Sequence, residues 1–189
     1  MRISPLSAML VMAAALVVQP AGAFQISLAP PLSPIAVGDS FKVLVSAEDL
    51  FAGRAGDSLL AYAFDVETAG AASFDAATVA TAQGFADDSG LTGLTGLDVS
   101  ASAFPSFADP GGTTGLLLSE LTLTALTVGP FDLTVSADAA DPFQGLFFFA
   151  DGQAGFSETV TIPVQAAPIP GTVLLLGMGL AALVRRRTG

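Results

Sequence analysis

The chain has 189 residues, 17 acidic and six basic, for a formal net charge of −11, and 52% of it is hydrophobic. Cysteine, histidine and tryptophan are absent. That excludes disulfides, Ser-His-Asp and Cys-His catalytic sites and histidine-bound metals, and the acidic balance argues against nucleic-acid binding, which needs basic patches.

In chain order, Met1-Arg2 leads into an apolar run from Leu6 to Val18, and Pro20 precedes the small-x-small triplet Ala21-Gly22-Ala23. This layout predicts a secretory signal peptide over residues 1–23, with an apolar helix, cleavage directed by Ala21 and Ala23, and a mature start at Phe24. An uncleaved anchor is the alternative, and the small residues before Phe24 count against it. Residues 24–165 match the size of one typical domain. Two basic residues, Lys42 and Arg54, against all 17 acidic ones give that exported region a charge of −15.

The domain reads as all-β, because its apolar residues recur with period two rather than 3.6. Gln25–Leu28 is a short strand candidate. In Ser40–Ser46, residues Phe41, Val43 and Val45 share one side. In Leu59–Thr68, residues Leu60, Tyr62, Phe64 and Val66 oppose Asp65 and Glu67. Asp75–Gln83 reads as a short helical turn capped by Asp75. Thr92–Gly96 reads as loop and Leu97–Ala103 as a further strand candidate. The apolar stretches Leu116–Leu126 and Gly145–Ala150 are expected to be central in their sheets. Phe131–Ala137 and Thr159–Val164 alternate as half-buried strands. Turns are expected at Val37-Gly38-Asp39, Asp109-Pro110-Gly111-Gly112, Val128-Gly129-Pro130 and Asp151-Gly152, where Gly or Pro permits reversal. Many short strands and no long helix point to an antiparallel β-sandwich.

Candidate sites are few. Asp65 and Glu67 are neighbours on one strand face, and paired carboxylates serve glycoside hydrolysis; the solvated side of an amphipathic strand is the plainer reading, and no catalytic residue is assigned. Asp87, Asp88, Asp138, Asp141 and Asp151 are expected in loops, where carboxylates suit calcium. No EF-hand pattern links them, so a structural calcium is the single cofactor considered. The high negative charge otherwise serves solubility. Phe147-Phe148-Phe149 alternates sides and reads as core plus a contact to a covering loop; were Phe148 exposed, it would suit a partner or a sugar face.

Residues 166–189 form a tail: Pro168-Ile169-Pro170-Gly171, the apolar run Thr172–Val184, then Arg185, Arg186 and Arg187. At ~1.5 Å per residue a helix over residues 172–184 spans about 20 Å, short of a ~30 Å hydrocarbon core. Extending it backwards meets two prolines, which break helix interiors. The arginines suit a helix C-terminus, can snorkel, and act as a cytoplasmic stop. A eukaryotic lipid-anchor signal also ends in an apolar tail but lacks a terminal arginine cluster.

These tail residues resemble the PEP-CTERM sorting signal of Gram-negative bacteria, with a Pro-x-Pro-Gly-Thr motif, a transmembrane helix and an arginine-rich end. Ile169 stands where that family usually has Glu. The resemblance implies recognition by an exosortase, an inner-membrane location with the domain in the periplasm, and later sorting to the cell surface or outside the cell. A second resemblance lies in the domain. Ala36-Val37-Gly38-Asp39-Ser40-Phe41, Leu60–Thr68 and Leu121–Leu133 are similar to the second-strand, third-strand and late-hairpin motifs of cohesin-like domains, with Leu123 where Phe is usual. That implies a jelly-roll sandwich of about nine strands. Cohesins bind dockerins through one sheet face, and no residue of that face carries over. The expected function is therefore that of an exported, membrane-anchored or surface-sorted structural or adhesive protein, non-enzymatic, of the envelope or exopolysaccharide matrix. A calcium-, carbohydrate- or protein-binding module is the alternative.

Overall fold

Period-two alternation becomes strand wherever the sequence carries it strongly. The structure, a computed structural model, describes residues 24–54, 56–70, 72–74, 79–81, 84–89, 97–103 and 115–167. Among these there are thirteen strands and no helix. They are β1 (Gln25–Ala29), β2 (Ile35–Ala36), β3 (Ser40–Glu48), β4 (Leu59–Ala69), β5 (Ala72–Phe74), β6 (Ala80–Thr81), β7 (Ala86–Asp87), β8 (Val99–Ser102), β9 (Gly115–Ala125), β10 (Gly129–Ala137), β11 (Gly145–Phe148), β12 (Gly152–Ala154) and β13 (Phe156–Gln165).

Two sheets result. One has the order β1-β3-β9-β5, with β6 also on β9; the other has the order β12-β11-β4-β10-β13-β2, with β8 on β4 and β7 on β8. All pairings are antiparallel except β13 with β2. As the sequence predicts, β9 and β11 each lie between two neighbours.

The core sits between the sheets. Val43, Val45 and Ala47 of β3 and Leu121 and Leu123 of β9 are buried with Tyr62 and Phe64 of β4, Leu133 and Val135 of β10 and Ile162 of β13. Each fully buried Leu, Val, Ile or Phe contributes about 1.5–3 kcal/mol, so with no disulfide this packing is the main source of stability. Tyr62, the chain's one tyrosine, is wholly buried. Its hydroxyl donates across the sandwich to the Leu118 carbonyl. That carbonyl is available because the register shifts there: Val45 faces Ser119, and Ser46 faces Leu117. Leu118 is the extra residue of a β-bulge, and it is fully buried beside Ser119.

The strand count exceeds nine because long runs are interrupted. Asp132–Ser136 of β10 face Ala69–Asp65, and Gly145–Phe148 of β11 continue along β4 at Ala63–Leu59. The two strands run in line on one edge of β4, separated by the 138–144 loop. β13 and β12 follow them in the same way, with Gly155 at the break. A side chain at Gly155 would lie 2.7 Å from the Ala137 carbonyl oxygen and 2.8 Å from the Ala139 nitrogen. The loop therefore leaves the sheet across bare glycine backbone.

Three expectations are corrected here. Leu60 is only half-buried, whereas Leu59 is fully buried. Phe147 faces Ala61 and Phe148 faces Leu59, so a bulge skips Leu60 and reverses the inward side at the start of β4. Ala80–Thr81 pairs with β9 as strand rather than helical turn; residues 75–78 and 82–83 lie outside the described residues. Asp87 belongs to β7 and pairs with Ala101 rather than sitting in a loop. Phe148 is buried in the core as its leading reading has it, and Phe149 is the exposed member of the triplet at 67%. The predicted loops 92–96 and 109–112 lie outside the described residues, as do both terminal segments. Among the described residues no helix is long and apolar enough to cross a membrane.

Candidate functional site

Two polar assemblies organise the second sheet. The first lies at the end where β3 leaves its sheet. Arg54, in the β3–β4 loop, reaches Asp151 of the β11–β12 hairpin, with Nε 3.0 Å from Oδ2. The N–H is not aimed along that line, so the contact is an ion pair rather than a hydrogen bond. The guanidinium carbon lies 4.4 Å from the Phe148 ring centroid and 5.8 Å from that of Phe24. This aromatic stacking suits arginine's planar cation. Asp57 then fastens the hairpin: its carboxylate accepts the N–H groups of Ser58 at 2.8 Å, Ala150 at 2.8 Å and Asp151 at 3.1 Å. Burial alone would raise the Asp57 pKa. The bonds from Ala150, Ser58 and Asp151, with the Arg54 charge, outweigh it and hold the pKa below the ordinary value.

The second assembly surrounds Asp65 on β4. Gln144, at the end of the 138–144 loop, donates from Nε2 to Asp65 Oδ2 at 2.8 Å. Its own Oε1 accepts the Asp138 N–H at 3.0 Å. Gln153 donates from Nε2 to the Asp141 carbonyl at 2.5 Å and to the Gln144 carbonyl. These two glutamines fold the loop onto the sheet. The other oxygen of Asp65, Oδ1, is buried and accepts no hydrogen bond. Burial raises the Asp65 pKa; the Gln144 bond opposes this, and the charges of Asp98, Asp141 and Glu67 add to the rise.

The predicted carboxylates fall in separate places. Asp138 accepts the Ala140 N–H at 2.8 Å and Asp141 that of Phe143 at 2.9 Å, so each caps its own loop. Asp151 pairs with Arg54. Asp87 accepts the Ser89 N–H at 3.0 Å, and Asp88 accepts the Ser102 hydroxyl at 2.5 Å. Among the described residues no three His, Cys, Asp or Glu side chains are grouped to hold a metal ion. Asp65 and Glu67 share the outer side of β4, but Asp65 is tied to Gln144 and Glu67 is exposed. The sorting residues Pro168, Ile169, Pro170 and Gly171, the stop residues Arg185, Arg186 and Arg187, and the cleavage residues Ala21 and Ala23 all lie outside the described residues.

A shallow cleft of about 440 Å³ lies beside β3, lined by Pro31, Ser33, Pro34, Phe41, Lys42 and Thr122 among others. Lys42 points its ammonium at Glu120, 2.5 Å away. Asp39, also on the cleft, accepts the Ala36 N–H at 2.8 Å, and its carbonyl accepts the Ala125 N–H. The Val37-Gly38-Asp39 motif thus closes a turn that joins β2 and β3 to β9.

The outer side of the second sheet is a ladder of short polar side chains. The Thr134 and Thr159 hydroxyls lie 2.9 Å apart, and Thr161 donates to Asp132 at 2.6 Å.

Arg54, Asp57, Gln144 and Gln153 are the residues that sequence reasoning missed. Arg54 carried one signal, as one of two cations in the exported region.

The structure is similar to that of the seventh ScaB type I cohesin from Pseudobacteroides cellulosolvens, at 13% identity over 77% of this chain and 95% of that chain, with a TM-score of 0.40. It is also similar to a chain of the CaDoc0917–CaCohA2 complex, at 17% identity over 75% of this chain and 100% of that chain, with a TM-score of 0.37. No protein-family description matches the sequence, and no curated protein does. Among the described residues the molecule is an all-β, two-sheet sandwich.

Proposed function

We propose that the chain is an exported β-sandwich, held at a bacterial inner membrane by its C-terminal apolar segment and then sorted to the envelope surface or exopolysaccharide matrix as a structural or adhesive module. One observation carries this reading. The described strands, from Gln25 of β1 to Gln165 of β13, bury a core of their own, and in the sequence the apolar runs Leu6–Val18 and Thr172–Val184 flank that span. Apolar runs of that kind suit another apolar medium. The Pro168–Gly171 motif and the arginines after Val184 support a sorting role, with an exosortase-type enzyme as the partner.

Fractionation of cells expressing the full chain tests this. The expected result is a membrane or surface fraction, with release to the medium or periplasm when residues 166–189 are deleted. A cytoplasmic full-length protein, or unchanged membrane retention after the deletion, would contradict it.

A second reading, recognition of a protein or a glycan, draws on the outer side of the second sheet. Its Thr134, Thr159, Thr161 and Asp132 side chains form a ladder of polar groups on the solvent side, whose remaining hydrogen-bonding capacity a partner could use. Glycan-array and co-purification screens of the wild type against Thr134→Lys and Thr159→Lys variants test it. A ligand lost on substitution supports recognition, and binding unchanged by either variant would contradict it.

A further inference from the structure

The two ends of the sandwich differ in chemistry, and the chain enters at one and leaves at the other. Gln25 of β1 pairs with Glu48 at the end of β3, so Phe24 lies at the Arg54 end. Val164 pairs with Gly129 at the start of β10, so the chain leaves beside the β9–β10 turn. That turn presents Leu126 at 53% and Val128 at 61% exposure, and the nearby loop into β2 presents a fully exposed Leu32. Among the described residues of the loops at this end, Val37–Asp39, Gly70, Leu126–Val128 and Ala166–Ala167, Asp39 is the one charged side chain. The opposite end carries Glu48, Asp49, Asp57 and Asp151, with Arg54 as its cation and Phe149 as an exposed apolar side chain.

Six residues separate Gln165 from the apolar run at Thr172. Fully extended they reach about 20 Å. β13 alone, at about 3.3 Å per residue, is roughly 33 Å long. A tether that short keeps the exit end of an upright sandwich nearest the bilayer. We infer that the β9–β10 turn rests on the lipid surface, with Leu126 and Val128 in the boundary between headgroups and acyl chains, and that the acidic Arg54–Asp57 end points away. This rests on the proposed membrane anchoring. Tethering makes two apolar side chains sufficient, because it turns a weak contact into an intramolecular one. An anionic lipid surface repels the acidic end in the same sense. An N-terminal run left uncut would oppose this posture, since it joins the sandwich at the far end.

The chain has no cysteine, so single probes can be placed cleanly. The full chain recovered from membranes of expressing cells is reconstituted in phosphatidylcholine–phosphatidylglycerol vesicles, with an environment-sensitive fluorophore on Thr127→Cys or on Ala150→Cys. Lipids carrying a nitroxide on the acyl chain serve as quencher. The expected result is strong quenching at Thr127→Cys, none at Ala150→Cys, and loss of the former when Leu126→Ser and Val128→Ser are added. Chain that floats with the vesicles but leaves the Thr127→Cys probe unquenched overturns this inference alone. So does quenching at both sites, or quenching that survives the serine variants. Chain that does not float with the vesicles overturns the anchoring as well.

Discussion

Asp57 accepts three backbone N–H groups at one end of the second sheet, whereas Asp65 accepts a single side-chain amide in the middle of β4. Both anchor a segment that crosses the sheet. Asp57 holds the β11–β12 hairpin beside the Arg54 cation. Asp65 holds the 138–144 loop beside the like charges of Asp98, Asp141 and Glu67. One residue type therefore meets opposite electrostatic settings: the Asp57 site favours the charged form, and the Asp65 site penalises it. Neighbouring donors and charges, rather than the carboxylate itself, decide what each residue contributes.

Removing the favoured carboxylate should have the largest effect. Asp57→Ala leaves three N–H groups without their acceptor and is expected to lower stability by about 2 kcal/mol, as loss of a strong cap does. Urea unfolding of the full chain in mild detergent, followed by Tyr62 fluorescence, reads this as a lower midpoint; an unchanged midpoint would break the comparison at the Asp57 side. Gln144→Ala should cost somewhat less, about 1 kcal/mol, because it removes one donor to Asp65 and one acceptor for the Asp138 N–H. Its sharper readout is hydrogen exchange, where amides of residues 138–144 should lose protection while those of Ala150 and Asp151 keep theirs. Equal loss in both segments would mean that the two assemblies are one cooperative unit.

The pH profile follows from the same contrast with opposite signs. Asp57 has a folded pKa below 3.8, so its contribution is present above that value and is lost as pH falls through the folded pKa. Asp65 has a folded pKa above 3.8, so the native state binds its proton first. Its contribution is present below 3.8 and is lost as pH rises through the folded pKa. Stability of the wild type should therefore gain from Asp65 as pH falls towards 3.8 and lose from Asp57 below it. Asp65→Asn should remove the first change and leave the second, as urea midpoints across the acidic range would report.

The strand faces are legible in the sequence where alternation is unbroken. β3, β10 and β13 bury the side chains that their patterns predict, because one buried face strongly constrains register. Leu60 fails that reading because a bulge opposite Phe147 and Phe148 changes parity, and a bulge leaves no mark in hydrophobic period. β5, β6, β7 and β12 are too short to show a period at all. Asp88, Asp138, Asp141 and Asp151 lie in loops as expected while Asp87 lies on β7, but the carboxylates that fasten segments together are known by what crosses to them. Asp57 meets Ala150 and Asp151, and Asp65 meets Gln144, across some eighty to ninety intervening residues. Such contacts depend on β10 and β11 running in line along β4, which no local pattern records.

The contrast reduces to one paired substitution. Replacing each carboxylate by its neutral isostere removes charge and keeps shape, at Asp57→Asn and at Asp65→Asn. Measured side by side near neutral pH by urea unfolding, Asp57→Asn should lower stability by about 1 kcal/mol, and Asp65→Asn should raise it by about the same amount, because a charged acceptor is lost where donors converge and a half-buried charge among like charges is lost where they do not. A fall of similar size in both variants would contradict the account.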